Sequence, residues 1–270
     1  MSPPGSAPVT RARLAAMKSA GEPITMLTAY DATFARAIDR AGVDCILVGD
    51  SLGNVVQGRD STVPVTVDDM AYHTACVRRG VERALVVADL PFLSYSGVDA
   101  AIDAARRVMQ AGAAMVKLEG GTSVFEVVER LSALGVPVCG HLGLTPQAVH
   151  QLSGYRVQGR DREARDRLLS EARELERRGA GLLVLECVPS SLARAVADRL
   201  TIPVIGIGAG VDVDGQVLVL HDALGLGERH RPRFVRDFMP AAGSIPAALE
   251  AYVRAVRERD FPTAEESYGD

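Results

Sequence analysis

Seven short runs of apolar, largely β-branched residues recur along this chain, each followed by a longer and more polar stretch. They are Ile24–Thr28, Cys45–Val48, Ala84–Ala88, Met115–Leu118, Val136–Cys139, Leu182–Leu185 and Pro203–Ile207. Runs this short and this continuously apolar describe strands covered on both faces, as in a parallel sheet. The stretches between them carry helical spacing, most plainly at Ala32–Ala41, Val98–Ala111 and Arg162–Arg178. Several close on a glycine just before the next run (Gly42, Gly112, Gly135, Gly179), the position where a helix C-cap favours that residue. Strands alternating with helices in this way give an α/β fold.

The eighth strand is the difficult one. Val217–Leu220 has strand composition but follows Ile207 after only nine residues. A parallel crossover with its helix needs at least about 10–12 residues. The spacing therefore assigns Asp214–Leu224 to the seventh helix and Arg233–Phe238 to the eighth strand, closed by a helix at Ile245–Arg259. Thr10–Ser19 reads as an extra N-terminal helix at the barrel bottom. The expectation is a single-domain (β/α)8 TIM barrel over residues 10–260, with flexible polar tails at 1–9 and 261–270. The length of 270 residues suits that fold, which typically takes about 250. A doubly wound open sheet is the alternative, but no G-x-G-x-x-G follows the first strand and the composition never changes partway.

Composition narrows the function. Cys45, Cys76, Cys139 and Cys187 lie far apart with no C-x-x-C pair, which disfavours a disulfide framework or structural zinc and suits a reducing cytoplasm. A net charge of −4, 4% aromatics and no tryptophan leave no basic or stacking surface for nucleic acid. No apolar stretch reaches the roughly 18–20 residues of a membrane span. The N-terminus lacks the basic and apolar regions of a signal peptide. The remaining expectation is a cytoplasmic protein acting on small molecules.

Chemistry on such a barrel sits at the C-terminal strand ends. Here five consecutive strands end in ionisable groups: Asp50 (followed by Ser51), Asp89, Lys117 with Glu119, His141, and Glu186. One aspartate after a strand is often only a turn former or helix cap, but five strands delivering such residues to one rim point to a site. Lys117 and Glu119 share a face by the period of two, opposite Val116 and Leu118. Burying several carboxylates against one lysine is costly. A divalent cation relieves that cost, and ligation by Asp50, Asp89 and Glu119 suits Mg2+. Zinc fits less well, because His141 is the histidine at this rim while His73, His150 and His221 read as structural. His141 remains a possible further active-site residue. Glu186 has apolar flanks, which favour a neutral carboxyl and suit a general base; a fourth metal ligand or a strand-end cap is the competing reading.

The segments Leu47-Val-Gly-Asp-Ser-Leu-Gly53, Val116-Lys-Leu-Glu-Gly-Gly121, Gly140-His-Leu-Gly-Leu-Thr-Pro-Gln147 and Ile205-Gly-Ile-Gly-Ala-Gly210 strongly resemble the ketopantoate hydroxymethyltransferase family. So do Thr28-Ala-Tyr-Asp31, Asp60-Ser-Thr-Val-Pro-Val-Thr66, Leu183-Val-Leu-Glu-Cys-Val-Pro189 and Asp214-Gly-Gln-Val-Leu-Val-Leu-His-Asp222. The resemblance spans roughly residues 10–260, in order. It implies transfer of a hydroxymethyl group from the co-substrate 5,10-methylenetetrahydrofolate to 3-methyl-2-oxobutanoate, the first committed step of pantothenate synthesis. It also implies one Mg2+ per subunit on Asp50 and Asp89, with Glu119 as third carboxylate directly or through water. Substrate contacts would come from Asp50, Ser51, Asp89 and Lys117, with Glu186 as base. A homo-oligomer, commonly a decamer, is implied too. Two departures stand out: Asn54, where a hydrophobic residue is common, and Met239–Gly243, which lacks an acidic residue often present.

Three other readings compete. A Schiff base on Lys117 is disfavoured because a lysine beside three carboxylates stays protonated. A carbon–carbon lyase or mutase of the phosphoenolpyruvate mutase and isocitrate lyase kind would carry a catalytic cysteine loop, and no cysteine follows Cys139 in Gly140–Pro146. An inactive metal-binding barrel conflicts with the complete polar set.

Overall fold

The computed structural model describes residues 7–151, 154, 156–227 and 231–269. Helix α1 (Arg11–Ala20) precedes β1 (Ile24–Thr28), α2 (Ala32–Ala41), β2 (Cys45–Val48), α3 (Leu52–Val55), α4 (Val67–Arg78), β3 (Leu85–Asp89) and α5 (Val98–Gln110). Then come β4 (Met115–Glu119), α6 (Phe125–Ala133), β5 (Val138–Gly143), α7 (Arg162–Arg177), β6 (Leu182–Glu186), α8 (Ser190–Ala197) and β7 (Val204–Ile207). The chain finishes with β8 (Gly215–Leu218), α9 (Leu220–Ala223) and α10 (Ile245–Arg257). Every strand pairs parallel with the next, and β8 pairs with β1, so the sheet closes into a (β/α)8 barrel. The seven apolar runs all become strands, with ends shifted by a few residues at most.

The eighth strand corrects the sequence reading. It is Gly215–Leu218, inside the stretch assigned to a helix, while 233–238 forms turns and irregular chain. The crossover rule fails because the β7–β8 connection contains no helix. It is a short return of bends whose glycines Gly208 and Gly210 take positive φ. Asp214 clamps it: its carboxylate accepts from the Val204 amide at 2.8 Å and from Lys18 on α1 at 2.7 Å. The Tyr252 hydroxyl of α10 donates to the carbonyls of Met26 on β1 (2.8 Å) and Gln216 on β8 (2.9 Å), where the barrel closes.

Strand alternation separates two apolar regions. Inward residues Met26, Cys45, Leu47, Leu85, Val87, Met115, Cys139, Leu182, Val184 and Ile205 fill the barrel. Leu14 and Met17 of α1 join this cluster and plug the bottom, as expected of the extra helix. Outward residues such as Ile46, Val86, Val116, Leu118, Leu183 and Leu185 pack beneath the helices. With its lower layers apolar and its bottom sealed, the barrel interior can be polar only at the top.

The segments read as tails differ from that description where they are described. Val9 is buried and its amide donates to the Arg83 carbonyl at 2.8 Å; residues 1–6 and 270 lie outside the described residues. Phe261 is buried, and residues 263–269 fold back so that the Tyr268 carbonyl accepts from the Ser190 amide at 2.9 Å. Polar composition hid these contacts because main-chain groups and ion pairs make most of them. The four cysteines are unpaired thiols. Among the described residues no helix is long and apolar enough to cross a membrane.

Candidate active site

The top inward layer is built by strand register. Asp89 pairs with Lys117 across β3–β4, and Glu119 with His141 across β4–β5. Glu186 stands two residues beyond Val184, the partner of His141, and so comes from the same face of β6. Asp50 enters from the turn after β2. Asp50, Ser51, Asp89, Lys117, Glu119, His141 and Glu186 all line one cavity of about 690 Å³. Every site residue expected from the sequence is therefore at one place.

On one side the carboxylates surround the ammonium. Lys117 Nζ donates to Asp89 Oδ1 and lies 3.8 Å from Glu119 Oε1. Asp89 Oδ2 accepts from the Asp50 backbone amide at 2.9 Å, which locks the turn after β2 to β3. Burial, then the charges of Asp89 and Glu119, push Asp50 well above the usual carboxylate range. Burial alone would lower Lys117, but Asp89, Glu119 and Asp50 outweigh it and hold the ammonium protonated above its ordinary value. Ser51 Oγ shares a hydrogen bond of 2.9 Å with the Tyr30 hydroxyl, whose own proton burial makes harder to remove.

On the other side His141 bridges two acids. Its Nδ1 lies 3.2 Å from Glu119 Oε1 and its Nε2 lies 3.2 Å from Glu186 Oε2. Both approaches are off the hydrogen-bonding direction, so these are ion-pair contacts with no completed hydrogen bond. Burial and Lys117 favour neutral imidazole, yet Glu119 and Glu186 prevail and raise His141 to about 9. The same histidine helps to hold Glu119 below its ordinary range against the opposing effect of burial. Glu186 thus faces an imidazole where its sequence neighbours suggested an apolar wall. Its backbone is fixed by a close approach: a Cβ on Gly143 would lie 2.2 Å from the Glu186 carbonyl oxygen. Cys187 then turns the chain at φ 48°, a left-handed conformation rare for a non-glycine residue.

A sequence profile described as ketopantoate hydroxymethyltransferase matches residues 8–264. The chain belongs to the ketopantoate hydroxymethyltransferase family. It is 57% identical over 261 residues to the 3-methyl-2-oxobutanoate hydroxymethyltransferase of Halorhodospira halophila, covering 96% of this chain and 94% of that one. The enzyme of the same name from Idiomarina loihiensis is 56% identical over 257 residues, covering 95% and 97%. Among solved structures, phosphoenolpyruvate phosphomutase from Streptomyces platensis subsp. rosaceus superposes with a TM-score of 0.60 at 18% identity, covering 80% of this chain and 82% of that one. A phosphonopyruvate hydrolase superposes at 0.62 with 12% identity, covering 95% and 92%. Likeness at those identities speaks for the barrel alone. The family assignment makes the chain an enzyme of hydroxymethyl transfer in the pantothenate pathway.

Within this ketopantoate hydroxymethyltransferase barrel, several residues in or behind the cavity carry no role in the sequence reading. Gln147 is buried, with its side chain on Asp50 and its backbone amide on Glu119. Gln147 is uncharged and lies beyond the end of β5, past the strand-end position where His141 stands. Arg156, Arg233, Phe234 and Tyr268 line the outer part of the cavity, and no strand-end rule reaches them. Asn54 donates to the Arg59 carbonyl at 3.0 Å, which gives this departure from the family pattern a local turn-forming role.

The donor chemistry can be tested against a hard cation. Three buried carboxylates face one ammonium and one imidazole, and their ligand atoms are all oxygen, as Mg2+ prefers. Yet among the described residues no three histidine, cysteine or carboxylate side chains are clustered as a ready metal site. The carboxylates are engaged within the protein: Asp89 by Lys117 and the Asp50 amide, Asp50 Oδ2 by Gln147, and Glu119 by His141 and the Gln147 amide at 3.0 Å. Asp50 and Asp89 are tied to one another through the Asp50 amide, and their all-oxygen chemistry is what a hard cation takes.

Proposed function

We propose that this enzyme transfers a hydroxymethyl group from 5,10-methylenetetrahydrofolate to 3-methyl-2-oxobutanoate, giving 2-dehydropantoate and tetrahydrofolate. Asp50 and Asp89 would hold Mg2+. When bound, the cation supplies Lewis-acid stabilisation for negative charge developing on the keto oxygen. The observation that carries the reading is the division of one cavity into an ammonium–carboxylate side and an acid, Glu186, set apart from it by His141.

The residues divide the work accordingly. Lys117 contributes fixed positive charge beside the substrate oxygens and Ser51 a hydroxyl, both positioned before substrate arrives. Glu186 takes the proton from C3 of the oxo acid, with the His141 imidazole beside its carboxylate at 3.2 Å. The methylene carbon gives up its bonds to both folate nitrogens and gains one to C3 and one to a water oxygen; of the C3 proton and the two water protons, two end on those nitrogens as tetrahydrofolate and one stays on the new hydroxyl. Apolar residues such as Leu47, Val184 and Ile207 line the same cavity and suit the branched alkyl end of the acid. The Schiff-base alternative is disfavoured by the ammonium of Lys117, which is bonded to Asp89 and held protonated.

Proton exchange tests this directly. The enzyme is incubated with 3-methyl-2-oxobutanoate in deuterated water, with and without Mg2+, and loss of the C3 proton is followed by NMR. Exchange should require the metal and disappear in Glu186→Gln. Exchange indifferent to that substitution would remove Glu186 as the base.

A further inference from the structure

We infer that Gln147 is the positioning residue that sets which oxygen of Asp50 is presented to the cation, an inference that rests on the metal reading above. Gln147 is 5% exposed, and its hydrogen-bonding groups are engaged. Its Nε2 donates to Asp50 Oδ2 at 2.9 Å and to the Leu90 carbonyl at 3.0 Å. Its Oε1 accepts from the Tyr95 hydroxyl at 2.6 Å, and its backbone amide donates to Glu119 Oε2 at 3.0 Å.

This arrangement does two things at once. The Leu90 carbonyl and the Asp50 carboxylate only accept, so they take the NH2 end of the amide, and the Tyr95 hydroxyl donates to the oxygen left on the other side, which fixes the orientation of the side chain. With Nε2 thereby aimed at Asp50, Oδ2 is occupied and Oδ1 is left as the oxygen free for a ligand. The backbone amide simultaneously binds Glu119, so two like charges in one buried site rest on separate donors of the same residue. Partners of this kind, one step removed from a metal, orient the ligating group, and their loss typically weakens metal affinity by about 10–100-fold.

The test uses the full chain without substrate and Mn2+ as the spectroscopic probe, with free Mn2+ counted by electron paramagnetic resonance. Gln147→Met keeps the volume and removes the donors. It should weaken Mn2+ binding about 10–100-fold in a chain whose circular dichroism shows it folded. Tyr95→Phe removes the bond to Oε1 and leaves the amide held at its NH2 end alone, and should weaken binding in the same direction by a smaller factor. It carries the test if Gln147→Met does not fold. Wild-type affinity in the folded Gln147→Met chain, or in Tyr95→Phe where that variant carries the test, overturns the role. So does a lower metal-free melting temperature with unaltered affinity, the mark of a residue that only supports the fold. No Mn2+ binding by the wild-type chain overturns the metal reading and this inference together, and is told apart by the wild-type titration itself.

Discussion

His141 Nε2 stands 3.2 Å from Glu186 Oε2, which ties the carboxylate set apart across the cavity to the cluster around Lys117. Burial opposes charge on this imidazole, and the two flanking carboxylates raise it to about 9 nonetheless. A histidine raised in the folded state stabilises it fully below the unfolded value of about 6.5. That contribution fades as pH rises through about 9. Histidine-selective NMR should therefore find His141 charged at pH 7, with its midpoint moving down in Glu186→Gln. A neutral ring at pH 7 would contradict the ion-pair arrangement.

Lys117 is bonded to Asp89 in a site where both side chains are almost fully buried. Replacing it by methionine leaves Asp89 as an uncompensated buried charge, at a cost of about 3–5 kcal/mol in urea unfolding. The loss of one fixed charge at the reacting oxygens should lower kcat by a further factor of about 10²–10³. Borohydride treatment of the wild-type enzyme with 3-methyl-2-oxobutanoate should leave the Lys117 peptide unmodified by mass spectrometry. A reduced adduct there would restore the imine mechanism.

The barrel and its polar rim were legible because both follow from local rules. Continuous apolar runs mark covered strands, and the period of two put Lys117 and Glu119 on one face with Met115. What escaped depends on contacts remote in sequence. Glu186 looked apolar from Leu185 and Cys187, yet its partner is His141 on the neighbouring strand. Gln147 is neutral and carries no charge signal; only the fold reveals that it touches two carboxylates. β8 lies closer to β7 than a helical crossover allows, because the return between them contains no helix.

That strand yields a sharp stability prediction. Gly215 opens β8 where it meets β1, and a Cβ there would lie 2.3 Å from the Ile24 carbonyl oxygen and 2.8 Å from Ile205 Cδ1. One contact is backbone and cannot rotate away. Gly215→Ala should cost about 1–3 kcal/mol in urea unfolding, the range of core overpacking, or more if the barrel cannot shift at its closing seam. A neutral result would mean that the seam is looser than the β1–β8 register implies.

Arg236 fastens the C-terminal segment to the mouth of the cavity. Its guanidinium holds Glu266 through two hydrogen bonds, Nε to Oε1 at 2.8 Å and Nη2 to Oε2 at 2.7 Å. It also bonds Asp260 and lies over the Phe261 ring. Burial works against the Glu266 carboxylate, but Arg236 and the Thr263 amide outweigh it and hold it below the usual range. The depressed value makes this clip fully effective above the ordinary carboxylate range and lost only as pH falls through the lowered one. Tyr268, two residues on, lines the cavity and receives the Ser190 amide on its carbonyl. Arg236→Ala removes charge-assisted bonds worth about 1.5–3 kcal/mol each when intact. Hydrogen exchange over residues 263–269 should accelerate by at least about tenfold, since 1.4 kcal/mol is a factor of ten in opening. Substrate binding should weaken with it and raise KM, because Tyr268 lines the cavity. Unchanged protection in that segment would show that the fold-back is held by its main-chain contacts alone.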